Sequence, residues 1–564
     1  MGLRKERGLD AGCPAGHSSK MAPRGPLGPS ILLILSMAVA HGRAVESIRR
    51  VVLSAHPPAP AGNNAALQAA IAEAEVELSS GTTESVVLEL PVGTFPFAVA
   101  GGPGILLEDF DPGERRLLIR GAGERATKLV FDSSGALGVT REACFMIRRS
   151  RGVALEQMEI TRGQIATTQG TVEFVGPSLI RFRLHEGYPD PRSLLARAGR
   201  NERTLISFCP DRPLDPELSP RATKYHVLGI EAMPEDVGLF EATIDRRQRL
   251  DRVLVGDWVA LKIKAGGDTI FFEDSAHCAV RDVRITRAET RPVAGVGNNH
   301  DLTIERVRCL RPEPIGGRGA CLSSPGGGIV LQAGGRGRLI LRDCAIVGTA
   351  DDGIAVFSTA RAARRDPTPP SIASDITIEG NLVRDNQGRG ILICQSRRGT
   401  CRKNTLLRND GPSILLKNET LGQFAAATET PLSWSVQDWT IEDNVFDGTA
   451  GNPMIAFGSE VPGSARHRGI RIIRNTFRSA PGLAPVILIA DAEDVAIDDN
   501  AIESFAAHPI PPALRAYAGS EAIVSCTDAA RVSGANNVLA APTERPATLP
   551  PGTVEWRRRR ISDR

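Results

Sequence analysis

The chain has 564 residues, 41% of them hydrophobic and 24% charged, with a formal net charge of +3. A chain of this length and composition can bury a large core, and its nearly balanced charge gives no sign of a nucleic-acid partner. Only 4% of the residues are aromatic, which is low for a surface that stacks bases, so we expect no nucleic acid to bind.

Both ends of the chain are predicted to lie outside the fold. Within residues 1–44, a basic residue, Arg24, and the apolar residues 31–40 follow Met21, which is typical of a signal peptide that begins at Met21. The apolar run is too short to span a bilayer, although an uncleaved anchor is the competing interpretation. We therefore expect a secreted, periplasmic or cell-surface protein without an integral membrane segment in the mature chain. Residues 541–564 are rich in Pro and Arg and are predicted to form a loosely ordered tail.

Residues 45–165 are predicted to hold an N-terminal cap and the first strands. A helix is expected to begin near Asn64, and its apolar face comprises Leu67, Ile71, Ala74 and Leu78. Four strands follow, at residues 86–90, 116–120, 128–131 and 144–147. Because the open end of a stack of strands needs a cover, we expect this helix to cap the first coil.

Residues 166–264 are predicted to be an inserted, small antiparallel β-barrel-like domain. Met158 and Val283 occupy equivalent positions of the repeat described next, but they are 125 positions apart, which far exceeds one coil. Five segments in this interval have the pattern of antiparallel strands: residues 170–175, 179–184, 225–233, 239–244 and 253–263. Val255-Gly256-Asp257, which precedes Trp258, resembles a barrel-type turn.

A repeated line of residues predicts the main architecture, over residues 265–540. Short apolar-alternating segments end at a fixed slot, which holds Met158, Val283, Val307, Cys344, Asn381, Asn404, Asn444, Asn475 and Asn500. The last five intervals are 37, 23, 40, 31 and 25 residues, which is typical of a solenoid. We predict an all-β, single-stranded right-handed parallel β-helix whose five slot asparagines point inward as one amide ladder. The alternative, a β-sandwich, would need evenly spaced Asn-Gly hairpins, and these are scarce.

The second strand of each coil predicts a column of side chains at one turn. Its members are Asp268, Gly327, Asp352, Arg389, Pro412, Pro453, Pro485 and Glu521. Since neighbouring rungs lie roughly 5 Å apart, Asp351 and Asp352 would face Arg389. Paired carboxylates beside a guanidinium suit an acid/base or sugar-binding centre, because a neighbouring like charge raises one pKa while arginine lowers it. The alternative is that the aspartates cap a turn and form a surface ion pair.

The cysteines and histidines predict no metal site. Nine cysteines follow the leader and none forms a CxxC pair, which argues against zinc. In an exported protein, Cys309 could bridge Cys321, and Cys394 could bridge Cys401. His277 and His300 lie in connections between strands and are interpreted as ordinary surface residues.

Several motifs resemble a known family. They are Val255-Gly256-Asp257, Gly327-Gly328-Ile329, Asp351-Asp352-Gly353-Ile354 and Gly388-Arg389-Gly390-Ile391-Leu392-Ile393. Together they resemble the β-helical α-1,3-galactosidase family of glycoside hydrolases, within the pectate-lyase-like superfamily of right-handed parallel β-helix proteins. The resemblance implies a barrel insertion, an acidic pair at Asp351 and Asp352, and a substrate-binding arginine at Arg389. The chain departs from the family pattern at Gly327 and Val330, where the family has Asp and His.

The candidate site residues are compatible with three functions. The first is a glycoside hydrolase acting on a polysaccharide or oligosaccharide, with Asp352 or Asp351 as the catalytic acid or base, Arg389 orienting the substrate, and no cofactor. The second is a polysaccharide lyase in which Arg389 acts as base or neutralises charge and a calcium ion is bound. The third is a glycan-binding or surface-structural solenoid without catalysis. The resemblance favours the hydrolase, and the departure at Gly327 favours the non-catalytic solenoid.

Overall fold

The computed structural model describes most of the chain between Glu46 and Arg558. The described residues are 46–55, 59–99, 101–133, 142–196, 203–208, 224–250, 253–263, 266–334, 337–358, 373–418, 435–448, 452–459, 463–479, 485–504, 523–539 and 554–558. The predicted signal peptide lies outside them. Within the predicted C-terminal tail, residues 554–558 form a strand.

Two helices and 38 strands make up the described fold. In chain order they are β1 (Glu46–Arg50), α1 (Ala59–Ser79), β2 (Ser85–Glu89), β3 (Gly93–Val99), β4 (Ile105–Glu108), β5 (Arg116–Arg120), β6 (Thr127–Ser133), β7 (Phe145–Arg148), β8 (Val153–Arg162), β9 (Thr167–Val175), β10 (Leu179–Leu184), α2 (Pro191–Leu195), β11 (Arg203–Phe208), β12 (Tyr225–Ala232), β13 (Leu239–Ile244), β14 (Trp258–Ile263), β15 (Ile270–Glu273), β16 (Ala279–Thr286), β17 (Val293–Asn299), β18 (Leu302–Glu305), β19 (Arg308–Cys309), β20 (Ile329–Ala333), β21 (Leu339–Arg342), β22 (Ala345–Val347), β23 (Ile354–Ser358), β24 (Ala373–Glu379), β25 (Leu382–Arg384), β26 (Ile391–Cys394), β27 (Ser396–Arg402), β28 (Thr405–Leu407), β29 (Ile414–Asn418), β30 (Gln437–Glu442), β31 (Val445–Asp447), β32 (Ile455–Ser459), β33 (His467–Ile473), β34 (Thr476–Arg478), β35 (Ile487–Asp498), β36 (Ala501–Ile502), β37 (Val524–Leu539) and β38 (Val554–Arg558).

Parallel pairing arranges the strands other than β9–β14 in three sheets that wind as a right-handed β-helix, as predicted. Sheet A contains β4, β7, β15, β17, β20, β23, β26, β29, β32 and the first parts of β35 and β37. Sheet B runs from β1 and β2 through β18, β21, β24, β27, β30 and β33. Sheet C runs from β3 and β6 through β19, β22, β25, β28, β31, β34, β36 and β38. Each coil passes through A, then B, then C, and the strands β8, β16, β35 and β37 bend through a turn to serve two or more sheets.

The core of the β-helix is a set of stacked aliphatic columns. Strand side chains alternate between inside and outside, so each sheet contributes every second residue to the interior. In sheet A the fully buried column comprises Ile270, Val293, Ile329, Ile354, Ile391, Ile414, Ile455 and Ile487. Trp439 is the largest buried side chain, and it fits because the preceding rung has Gly399, where a Cβ would overlap the indole ring.

The predicted asparagine ladder is present at the turn between sheets B and C. Each slot amide donates from Nδ2 to the Oδ1 of the next slot, over 2.9 Å from Asn381 to Asn404 and 3.0 Å from Asn444 to Asn475. Each Oδ1 also accepts from the backbone N–H of the preceding slot, and each Nδ2 also donates to a strand carbonyl, such as that of Cys401. The ladder continues one coil beyond the prediction, to Asn537. Because all of these amides are buried, the hydrogen bonds fix how one coil stacks on the next.

Helix α1 caps the first coil, as predicted. Its face of Leu67, Ile71, Ala74 and Leu78 is buried. The polar contacts are equally specific: Gln68 donates to the carbonyl of Leu106 over 2.8 Å and accepts from its N–H over 3.2 Å. Asn64 does the same for Ala98, over 2.8 Å in each direction. Side-chain amides thus pair the exposed edges of β3 and β4 as another strand would.

No helix among the described residues is long and apolar enough to cross a membrane.

The insertion forms a closed antiparallel barrel of six strands, ordered β10-β13-β12-β11-β14-β9. The prediction contained the barrel but missed β11. The barrel leaves the β-helix after β8 and returns before β15, at the turn from sheet C to sheet A. Two buried polar side chains fix it there. Gln169 accepts from the N–H of Cys321 over 2.7 Å, and Lys262 donates to the carbonyl of Ala350 over 2.7 Å. The barrel is therefore held beside the residues that precede Asp351.

The two candidate disulfides do not form. Cys309, Cys321 and Cys401 carry free thiols. Cys309 packs into the core of the β-helix, whereas Cys321 packs against the barrel, so the two thiols belong to different clusters. Burial raises the pKa of Cys321 and of Cys401 to about 12, which makes both thiols unreactive. Cys209 lies outside the described residues.

The ladder predicts the effect of removing one amide. Leucine at position 444 would remove the side-chain hydrogen bonds of Asn444 with the N–H and Nδ2 of Asn404, the carbonyl of Cys401 and the Oδ1 of Asn475. We expect Asn444→Leu to lower the free energy of unfolding by about 1–3 kcal/mol, measured by denaturant unfolding. Thr440→Leu, on the outward face of the same coil, is the matched control and should change it little. An unchanged transition for Asn444→Leu would contradict the role of the ladder.

A buried histidine predicts how stability depends on pH. His467 is fully buried, accepts from the N–H of Val436 through Nδ1 and donates from Nε2 to the carbonyl of Gly458. Burial lowers the pKa of His467 to about 4, from an ordinary value of 6.5, so the folded state holds the neutral ring. Its contribution to stability is complete above pH 6.5 and is lost as the pH falls toward 4, by about 3 kcal/mol. We expect His467→Gln to have a shallower loss of melting temperature between pH 7 and pH 4 than the wild type. Equal slopes would show that another group dominates.

Candidate functional site

The register of sheet A stacks the candidate residues at the turn from sheet C to sheet A. Ile270, Val293, Ile329, Ile354 and Ile391 pair in succession. The residues two positions before them therefore form one column, which consists of Asp268, Arg291, Gly327, Asp352 and Arg389. Arg291 was missing from the predicted column, and Pro412, Pro453 and Pro485 continue it. Glu521 lies outside the described residues.

Asp352 and Arg389 form a two-point ion pair across adjacent rungs. Asp352 accepts from the backbone N–H of Arg389 over 2.8 Å and from its Nη2 over 2.7 Å. The Asp352 side chain is only 9% exposed. Burial raises the pKa of Asp352 above its usual range; the Arg389 charge opposes this shift and the Asp351 charge adds to it. Asp352 is thus a carboxyl group that takes up a proton more readily than a solvent-exposed aspartate.

Asp268 and Arg291 repeat this pairing on an earlier pair of rungs. Arg291 Nε and Nη2 each lie 2.8 Å from one carboxylate oxygen of Asp268, which is a fork-to-fork geometry. Burial works against the charge of Arg291, but Asp268 and, more weakly, Asp351 hold the pKa of Arg291 above its ordinary value. Arg291 is therefore a permanent cation whose field reaches Asp351.

Asp351 is the most open carboxylate of the cluster. Its side chain is 25% exposed, and Lys224 Nζ, at the start of barrel strand β12, lies 3.8 Å from its Oδ1. The distance is long for a hydrogen bond, so the attraction is mainly electrostatic. The barrel thus supplies one cation to the site and the β-helix supplies a second, Arg291. Asp351 and Asp352, although neighbours in sequence, have different surroundings.

Gly327 separates the two ion pairs. It occupies the rung between Arg291 and Asp352, and a Cβ there would lie 3.0 Å from the carbonyl oxygen of Asp352 and 2.8 Å from Val330 Cγ2. No side chain projects from this rung, and we call the rung between Arg291 and Asp352 the gap. The gap is roughly two rung spacings, or about 10 Å, between backbones.

A second ladder, which the sequence reasoning missed, holds the turn that carries the aspartates. Asn386 Oδ1 accepts from the N–H of Thr349 over 2.9 Å, and Asn386 Nδ2 donates to Asn409 Oδ1 over 2.9 Å. Thr349 Oγ1 in turn donates to the carbonyl of Asp351 over 2.8 Å. The signal was present in the sequence: Asn386 and Asn409 each lie five residues beyond a slot asparagine and share the 23-residue spacing.

The cluster does not fit a calcium ion. Calcium takes six to eight oxygen ligands, several of them carboxylates. Here the carboxylates of Asp268 and Asp352 are both taken up by arginines, and Asp351 faces Lys224. Asp385, on the neighbouring coil, is also buried and paired with Arg408 over 3.0 Å.

Comparison with protein families agrees with this fold. A family model described as "Right handed beta helix region" matches residues 260–421, which include Asp268, Asp352 and Arg389. A search of the curated proteins finds no match. Neither comparison tests the resemblance of the motifs to the α-1,3-galactosidases.

Several solved structures are similar to this chain at low sequence identity and at TM-scores below 0.5. The A-module of mannuronan C-5 epimerase AlgE6 from Azotobacter vinelandii is 12% identical, with a TM-score of 0.40; the match covers 84% of this chain and 95% of that one. The catalytic unit of a GH87 α-1,3-glucanase from Streptomyces thermodiastaticus is 13% identical, with a TM-score of 0.43; the match covers 88% of this chain and 64% of that one. PfbA, a surface adhesin of Streptococcus pneumoniae, is 10% identical, with a TM-score of 0.44; the match covers 88% of this chain and 87% of that one.

Proposed function

We propose that the chain is an exported carbohydrate-active β-helix protein whose Asp351, Asp352 and Arg389 hydrolyse a glycosidic bond. One observation carries the proposal: two adjacent carboxyl groups have opposite surroundings. Asp352 is buried and its pKa is raised, whereas Asp351 is partly exposed beside Lys224. Pairs of carboxyl groups that differ in this way divide the acid and base roles in hydrolysis. The motif resemblance to the α-1,3-galactosidases supports the same assignment.

In the proposed reaction Asp352 is the general acid and Asp351 the general base. Asp352 gives its proton to the glycosidic oxygen as the bond to the anomeric carbon breaks. Asp351 takes a proton from the water that attacks that carbon, and exchange with solvent restores both groups. This is an inverting reaction, which requires roughly 6.5–9.5 Å between the carboxyl groups to leave room for the water. Arg389 holds the Asp352 carboxyl through its two hydrogen bonds and orients the sugar beside it.

The charges around the gap bear on the substrate. The motif resemblance favours an α-galactoside. Lys224 lies beside Asp351 and would attract a sugar that carries a carboxylate or sulfate group, and the more distant Arg291, which is paired with Asp268, adds a weaker field. Both neutral α-galactosides and acidic polysaccharides are therefore the substrates to test first.

Glycan binding without catalysis is the second candidate, and a specific observation favours it. Both carboxylate oxygens of Asp352 already accept hydrogen bonds from Arg389, and Gly327 stands where the resembling family has a carboxylate. A lyase is less well supported. Arg389 is held as a charged donor to Asp352, which does not suit a base, and the carboxylates do not fit calcium.

The hydrolase proposal predicts a large loss of turnover in Asp352→Asn. General acid catalysis contributes roughly 100- to 10,000-fold, so turnover should fall at least 100-fold on the glycan that the wild type cleaves. The substrate would be found by incubating the purified full chain with a panel of α- and β-galactosides and acidic polysaccharides and detecting new reducing ends. Asp443→Asn is the matched control, since it breaks a two-point Asp–Arg474 pair on an exposed face and should retain full activity.

The remaining outcomes separate the candidates. If no glycan yields product but one binds, and Arg389→Ala weakens that binding, the chain is a glycan-binding protein. An unsaturated sugar as product would identify a lyase. Full turnover in the double variant Asp351→Asn/Asp352→Asn would show that the catalytic site lies elsewhere.

A further inference from the structure

Two histidines and an aspartate converge at the turn between sheets A and B, on the opposite edge of sheet A from Asp352. His277 belongs to one coil, and His300 and Asp301 belong to the next. One ligand atom from each of the three side chains lies within 4.8 Å of the others. From sequence, both histidines were predicted to be ordinary surface residues, because each lies in a connection between strands.

Hydrogen bonds orient His300 and Asp301 toward this point. His300 Nδ1 lies 3.1 Å from the carbonyl oxygen of Asn298, and since a carbonyl only accepts, Nδ1 carries the proton and Nε2 the lone pair. Asp301 Oδ1 accepts from the N–H of Arg338 over 3.0 Å, while its Oδ2 lies 3.6 Å from His277 Nε2. A ring N–H bonded to a carbonyl is the arrangement that fixes a metal-binding histidine.

The neighbouring rung leaves the cluster open. Gly337 occupies it, and a Cβ there would lie 2.8 Å from His300 Cβ and 2.9 Å from Asp301 Oδ2. The His277 side chain is 44% exposed, so an ion from solvent can reach the three ligand atoms. A small rotation of this exposed ring would bring its nitrogen to bonding distance.

Arg151 competes for one of the ligand atoms. Its Nη2 lies 2.9 Å from His277 Nε2, and because a guanidinium only donates, Nε2 is the unprotonated nitrogen. This unprotonated nitrogen presents the lone pair with which a histidine binds a metal.

We propose that His277, His300 and Asp301 bind one divalent transition-metal ion of the zinc type and thereby clamp two successive coils together. Two imidazole nitrogens and one carboxylate oxygen suit zinc, with water completing the tetrahedron. Calcium prefers oxygen ligands only and would not be held. Metal binding displaces the Arg151 guanidinium from His277.

Isothermal titration calorimetry of the metal-stripped full chain with zinc chloride tests the site. We expect His300→Ala and Asp301→Asn each to weaken zinc binding at least 10-fold, and Arg151→Gln to strengthen it several-fold, because the competing cation is removed. His226→Ala, a histidine of the barrel outside the cluster, is the matched control and should bind zinc as the wild type does. Calcium chloride should give no binding heat.

Two results with these variants would contradict the proposed zinc site. Zinc binding of unchanged strength in both His300→Ala and Asp301→Asn would overturn it, as would a loss of binding in His226→Ala alone. Zinc should also raise the melting temperature of the wild type, by a shift that His300→Ala abolishes. A variant that melts like the metal-free wild type but does not bind zinc confirms that the fold is intact and the ligand is lost.

Discussion

Amide-to-amide hydrogen bonds between successive coils are the interaction on which the rest of this structure depends. A parallel β-helix repeats its backbone geometry at every rung, so a shift of one residue in a coil would turn the side chains of its strands to the opposite face. The buried amides from Asn381 to Asn537 prevent this, because each one forms hydrogen bonds with a neighbouring amide and with a backbone group. The second ladder, at Asn386, applies the same constraint at the turn that carries Asp351.

The turns on the two edges of sheet A carry the polar chemistry. At the turn from sheet C to sheet A, the ladder register places Asp–Arg pairs on successive rungs and Gly327 between them. At the turn from sheet A to sheet B, the same register brings His277 within reach of Asp301. Ion pairs and ligand sets across rungs cost little additional chain entropy here, since the stacked strands already fix the backbones that hold them.

The fold could be predicted because its signals repeat. Identical residues recurred at Asn381 and Asn404, and Asp351 and Gly388 each stand seven residues beyond a slot, which put Asp352 beside Arg389 correctly. Arg291 was missed although the same count finds it, because Arg291 stands eight residues beyond Val283, as Asp352 does beyond Cys344. The contact of Lys224 with Asp351 could not be read from sequence at all, since it depends on how the barrel docks through Gln169 and Lys262.

The central functional claim is that a glycan binds at the gap flanked by Arg291 and Asp352. A crystal structure of the Asp352→Asn variant with an oligosaccharide identified by the glycan panel tests it most directly. The account predicts that a sugar ring lies over Gly327, with the scissile oxygen within hydrogen-bond distance of the residue 352 side chain and a water beside Asp351. A sugar bound at another face, with the gap between Arg291 and Asp352 filled only by solvent, would contradict it.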